Sequence, residues 1–140
     1  MTREQVLDVV GRWQDAFARR DMKALAELYA ESAVMESPLA GSVTGREAVI
    51  KTTLSLLSAF PDAQFTPEAP LVDGDRVAIA SGVSGTHVGT FLGIAPTQRQ
   101  FRFSLVFLLE LKNGHVVRDR RIYDFTGFLV QLGVLKAKPA

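Results

Sequence analysis

The first half of the chain carries its apolar residues at helical spacing, and the second half carries them largely in alternation. Val6, Val10, Trp13 and Phe17 recur every three or four positions, which predicts an amphipathic helix over Thr2–Arg20. Thr2, with Gln5 three residues on, supplies a capping box at its start. Asp21 is placed to cap a second short helix, MKALAELYA, with Ala24, Leu25, Leu28 and Tyr29 turned inward. SAVMES then reads as a short strand and PLAGSVTG as a loop rich in turn residues. Thr44 with Glu47 repeats the capping-box pattern, so a third helix is expected from about Gly45 to Ala59, stopped by Pro61.

Strand patterns follow. QFTPEAPLV is interrupted by Pro67 and Pro70, which confines it to an edge or a bulge. Asp73-Gly74 is a hairpin signal into RVAIASGVSGTHVG, and TFLGIAPTQ is a loop. Asn113-Gly114 joins RQFRFSLVFLLELK to HVVRDRRIYDF and is the strongest hairpin signal present. TGFLVQLGVL closes the chain as a short apolar helix before a tail, KAKPA, that is expected to fray. Helices first and antiparallel strands after them predict an α+β fold. No repeat or linker divides residues 1–140, so a single domain is expected. A curved sheet wrapped on a long helix leaves a cone-shaped pocket between them, a natural site for a small molecule.

Composition narrows the chemistry. A chain of 140 residues with an apolar fraction of 47% is long enough to bury a core. No stretch approaches the roughly 20 apolar residues of a membrane span, and MTREQVLDVV lacks the pattern of a signal peptide. The absence of cysteine removes thiolate chemistry and disulfides, which fits a cytoplasmic protein. A formal charge of +1 gives no reason to expect a nucleic-acid partner. His87 and His115 lack a second ligand at metal-binding spacing, and no phosphate-binding glycine motif is present, so neither a metal nor another cofactor is expected.

The order of elements, with LYAESAVMESPLAGSVTGREAV, SGTHVGTFLGIAPT and YDFTGFLVQLG, resembles the SnoaL-like polyketide cyclase family from about Gln5 to Leu135. That family lies within the nuclear-transport-factor-2-like superfamily of cone-shaped α+β domains. The resemblance implies a cofactor-independent enzyme doing acid/base chemistry, of the cyclisation, isomerisation or lyase type, on a small apolar carbonyl compound. The same superfamily holds non-catalytic binding modules and epoxide hydrolases, so both remain open alternatives. Positions that carry catalytic groups in ketosteroid isomerases hold Ser37, Trp13 and Val106 here. The acid/base aspartate that SnoaL-type cyclases and epoxide hydrolases keep on the last strand is replaced by Arg121.

A two-residue loop at Asn113-Gly114 would pair Ser104 with Tyr123, Val106 with Arg121 and Leu108 with Asp119, each pair on one face. Hydrophobicity alone turns the other row, Phe103, Leu105, Phe107 and Leu109, toward the helices. The resemblance instead turns Asp119, Arg121 and Tyr123 toward the pocket, with Ser104 and Val106 beside them. On that facing the apolar row lies outside and needs a cover, which predicts a homodimer through the sheet.

Glu36 alternates with Val34 on the first strand, and both are expected to face the pocket. There Glu36 either pairs with Arg121 and handles a substrate proton or is a plain salt bridge. His87, at a strand end beside a glycine-bearing loop, is either a proton-transfer group at the mouth or a capping histidine. Tyr123 is either a donor to a bound carbonyl or a core tyrosine, and Asp119 joins the acid/base set. Asp124 is expected to cap the last helix. Trp13, Phe17, Phe60, Val83 and Phe91 are expected to line the pocket or to pack the core.

Overall fold

The computed structural model describes residues 1–136, so the expected fraying of residues 137–140 lies outside the described residues. The first helix, α1 (Arg3–Ala18), starts with the expected capping box: Thr2 Oγ1 accepts from Gln5 N at 3.1 Å, and Gln5 Oε1 accepts from Thr2 N at 2.8 Å. Its buried stripe includes Val6, Val10, Trp13 and Phe17. Asp21 caps α2 (Met22–Glu27) by accepting from Ala24 N.

The chain leaves α2 earlier than its pattern suggests. Leu28 closes the helix, and Tyr29 begins the strand β1 (Tyr29–Ser37) rather than ending a helical turn. β2 (Gly41–Thr44) pairs back on β1 within the segment read as a loop. It is short and mostly exposed, so it has no apolar alternation to betray it. Because Thr44 stays in that ladder, opposite Val34, it does not cap the next helix. Gly45, at φ 100°, precedes α3 (Arg46–Ala59) with no side-chain cap.

The remaining strands are β3 (Gln64–Pro67), β4 (Leu71–Asp73), β5 (Arg76–Thr86), β6 (Gln100–Lys112) and β7 (His115–Tyr123). They complete one seven-stranded sheet in the order β2-β1-β7-β6-β5-β3, with β4 also on β5. The prolines fall on β3 and beside β4, at the edge of the sheet, where a missing N–H costs no central ladder bond. β1 and β7 run parallel and join the two halves of the chain. The last helix, α4 (Phe125–Gln131), is capped as expected by Asp124, which accepts from Gly127 N. None of the described helices is long and apolar enough to cross a membrane.

One residue decides which side chains see the interior. The β6–β7 hairpin begins in the expected register, with Lys112 opposite His115 and Leu111 opposite Val116. Val117 is then passed over, so Glu110 meets Arg118, Leu109 meets Asp119, Phe107 meets Arg121 and Leu105 meets Tyr123. This β-bulge moves the whole of β7 by one place relative to β6. The apolar row and the polar row therefore share the inner face. Leu105, Phe107 and Leu109 are buried, as are Asp119 and Arg121. The placement of Asp119, Arg121 and Tyr123 inside holds. The placement of Phe103, Leu105, Phe107 and Leu109 outside does not, and that row cannot be a dimer interface. Ser104 and Val106 alternate to the outer face.

Candidate functional site

The inner face of the sheet, α3 and the inner sides of α1 and α4 enclose an apolar cavity of about 670 Å³, counting its open mouth. Phe17, Phe60, Phe65, Phe103, Phe107 and Phe128 supply much of its wall. It is narrow: the centre of a water molecule has only about 60 Å³ of it to move in. The polar side chains on the wall are Ser37, Thr52, Tyr123 and Arg121.

Arg121 is held by a buried chain of hydrogen bonds that begins on α1. Trp13 Nε1 donates to the Tyr29 hydroxyl at 3.0 Å, and that hydroxyl donates to Asp119 Oδ2 at 2.6 Å. Arg121 Nη2 donates to the same Oδ2 at 2.9 Å, and Nε donates to Oδ1 at 3.4 Å. Nη2 also donates to Thr53 Oγ1 at 3.0 Å, whose own hydroxyl donates back to Val49 O at 2.9 Å. The guanidinium lies 5.8 Å from the ring centre of Phe17 and 5.7 Å from that of Phe107, within cation–π range. Nη1 has no acceptor among the described residues.

The electrostatics follow from this packing. Burial works against the charge on Arg121, but the Asp119 carboxylate more than offsets it, so the guanidinium pKa lies above its ordinary value. Burial pushes the Tyr29 hydroxyl well above the usual phenol range, and the charge of Asp119 pushes it further, against a smaller opposing effect of Arg121. Tyr29 is thus a fixed neutral donor. Tyr123 is pushed up to about 12 by burial, with Arg121 pulling the other way, so it too holds its proton at neutral pH. Its ring stacks on Phe103 at 5.3 Å.

Glu36 is not part of this site. The alternation on β1 runs the other way from the one expected: Ala33 and Met35 are buried, while Val34 and Glu36 face outward. Burying the thioether of Met35 avoids the cost of burying a carboxylate. Glu36 accepts from Arg118 Nε at 3.0 Å and lies 3.9 Å from Arg120, both on the outer face. Val34, Ser104 and Val106 are absent from the cavity wall for the same reason of parity, although Ser37 at the end of β1 reaches it.

His87 is not at the mouth. The loop after β5 folds back so that His87 N donates to Arg99 O and Gln98 N donates to His87 O, which buries the ring completely. Thr97 N donates to Nδ1 at 3.3 Å, and the Thr97 hydroxyl lies 3.0 Å from that nitrogen. The ring packs against Phe60 and Phe91 and forms no part of the wall. Trp13 and Phe91 lie one layer behind the cavity, Trp13 against Phe17 and Phe107 and Phe91 stacked on Phe128. Phe17, Phe60, Val83 and Tyr123 line it.

The sequence pattern passes over three residues that shape the site. Thr53 sits on the Val49, Thr53, Leu57 stripe of α3, and a hydroxyl repeated at helical spacing among apolar residues is the signal for a buried polar contact. Tyr29 carries no such signal once it is read as helical. Arg20, at φ 56°, donates to the carbonyls of Leu57, Phe60 and Ala63, and so fixes the turn that brings Phe60 and Ala63 to the wall.

A curved α+β cone with an apolar interior is a fold of the nuclear-transport-factor-2 type. The profile of the SnoaL-like polyketide cyclase family matches residues 7–132, and the chain belongs to that family. Among solved structures it is similar to AclR from Streptomyces galilaeus, a suggested hydroxylase, at 27% identity and a TM-score of 0.81 over 99% of this chain and 91% of that one. It is also similar to IdmH from Streptomyces antibioticus, a suggested polyketide cyclase, at 29% identity and a TM-score of 0.76 over 93% and 99%. A SnoaL-like protein from Jannaschia sp. CCS1 shares the fold at a TM-score of 0.85 and 24% identity, over 97% and 94%. No curated protein matches the chain.

Proposed function

We propose that the protein is a cofactor-independent enzyme that stabilises the enolate of a small apolar carbonyl compound, with ring closure as the reaction. The observation that carries this reading is Arg121, a cavity-wall guanidinium fixed by Asp119 and Thr53 with Nη1 left unpaired. When a carbon next to a carbonyl loses its proton, the charge moves to oxygen. Nη1–H and the Tyr123 hydroxyl are donors of the kind that stabilise such an oxygen in a largely apolar site. The enolate carbon then attacks a second carbonyl of the same molecule, a carbon–carbon bond closes the ring, and the new alkoxide takes up a proton.

The described wall residues include no carboxylate, and Asp119 already accepts from Tyr29 and Arg121. The reading therefore assigns oxyanion stabilisation to the protein and suits substrates whose C–H is already acidified by flanking carbonyls, with water taking the proton. The same feature favours a second reading, a non-catalytic binding module. It disfavours epoxide hydrolysis, in which a carboxylate must activate water.

Proton NMR of ethyl benzoylacetate, whose methylene is flanked by two carbonyls, in deuterium oxide separates these readings. Catalysis predicts faster exchange at that methylene with the protein present, slowed about a hundredfold in Arg121→Met and less in Tyr123→Phe. Binding without acceleration would favour the binding module. Neither binding nor acceleration would sink both.

A further inference from the structure

The part of Arg121 left for a ligand suits a single oxygen better than the two oxygens of a carboxylate. This inference rests on the reading of Arg121 as a ligand contact. A guanidinium has five N–H groups, and it grips a carboxylate best when two nitrogens each give one hydrogen to the two oxygens. In Arg121 one such edge, Nε with Nη2, is already taken by Asp119. The second hydrogen of Nη2 goes to Thr53. The two N–H groups left are both on Nη1, so a ligand meets a contact for one oxygen and no fork.

Charge points the same way. The buried cluster holds one cation, Arg121, one anion, Asp119, and the uncharged Trp13, Tyr29 and Thr53. Its sum is zero before any ligand arrives. A ligand carboxylate would add a net negative charge inside a wall that is almost wholly apolar, with the compensating cation already paired. A ketone adds none on binding, and the enolate formed from it is transient and puts its charge on one oxygen, which the two Nη1 hydrogens can serve, whereas a carboxylate brings its charge from the start and leaves its second oxygen unserved. We infer that Asp119 occupies the place a ligand carboxylate would take, so that the cavity selects ketones, quinones or esters over the corresponding acids.

The test uses three ligands of nearly one shape: acetophenone, benzamide and benzoate. Binding is followed by the chemical shift of the Arg121 Nε–H in the full-length protein, supported by thermal melts. In the wild type, acetophenone and benzamide are expected to bind with benzoate weaker by roughly tenfold or more. Benzamide matters because it is polar but uncharged; if apolar character alone set the preference, it would fall with benzoate. In Asp119→Asn the order should reverse, and benzoate should raise the melting temperature of the variant while leaving that of the wild type unchanged. Should Asp119→Asn fail to fold, Thr53→Val returns one Nη2 hydrogen and should narrow the gap between benzoate and benzamide. Benzoate binding to the wild type as well as acetophenone would overturn this inference and leave the enolate reading standing. An Arg121 signal unmoved by all three ligands would overturn both. Loss of benzamide together with benzoate, or an Asp119→Asn protein indifferent to benzoate, would remove the charge argument.

Discussion

Two ion pairs use neighbouring residues of β7 on opposite faces of the sheet, the outer one reaching across to Glu36 on β1. On the inner face Arg121 and Asp119 are 2.9 Å apart and almost wholly buried. On the outer face Arg118 and Glu36 are 3.0 Å apart, with each side chain more than a third exposed. The distances match and the environments do not. Outside, water already solvates both partners and the pair holds little in place. Inside, the carboxylate and the guanidinium have left water, and each depends on the other and on Tyr29 and Thr53. Chemical consequence belongs to the pair whose removal leaves a charge with no substitute for water.

The contrast can be broken most sharply at Asp119. Asp119→Ala should cost about 3–5 kcal/mol in denaturant unfolding, because it leaves the Arg121 charge buried and unpaired. Replacing both partners with apolar residues, Asp119→Leu with Arg121→Met, should recover much of that loss. A double variant no more stable than the single one would show that more than an ion pair is at stake. Tyr29→Phe comes next. It removes a donor to Asp119 and leaves Trp13 Nε1 without its acceptor, for an expected loss of about 1–3 kcal/mol by the same measurement.

Alkali probes the inner cluster without mutation. Both tyrosines of the chain have folded-state pKa values above the unfolded value of 10.0, Tyr123 at about 12 and Tyr29 higher. A group whose pKa is raised by folding contributes stability that is complete below its unfolded value and is lost as the pH climbs toward its folded one. Stability should therefore hold to about pH 10 and decline toward about 12. Tyrosinate absorbance should rise together with the loss of secondary structure. A phenol titrating near its free value in an intact fold would contradict the buried environment. The smallest effect is expected outside. Glu36→Gln should leave the melting temperature within experimental scatter at neutral pH. Arg118 depresses the Glu36 pKa, so whatever the pair adds is present above the ordinary carboxylate value and disappears in acid or high salt.

The same strand shows what could be read from sequence. The hairpin at Asn113-Gly114, the caps at Thr2, Asp21 and Asp124, and the edge positions of the prolines all express local rules that a few neighbouring residues satisfy by themselves. Facing is different. Hydrophobicity turns Phe103–Leu109 inward and the family resemblance turns Asp119–Tyr123 inward, and an unbroken two-residue hairpin allows only one of these. The bulge at Val117 satisfies both, but nothing in VVRD marks it, because a bulge is selected by packing across the sheet rather than by the bulged residue. Glu36 carries a similar ambiguity. AVMES fits either parity, and Met35 is chosen for the interior only once the cost of burying its neighbour is counted. His87 is buried by a loop's return path, which leaves no periodic trace in the sequence.

The parallel ladder between β1 and β7 has a temporal side. Tyr29 leaves the ribosome 90 residues before its acceptor Asp119. At translation speeds of 5–20 residues per second that interval is on the order of ten seconds. For that time α1 and α2 exist beside a phenol with no carboxylate to receive it and a first strand with no central neighbour. A chain arrested before β7 should present Met35 and Tyr29 to any passing chaperone, and the nascent N-terminal half should acquire protease resistance only when the last strand emerges.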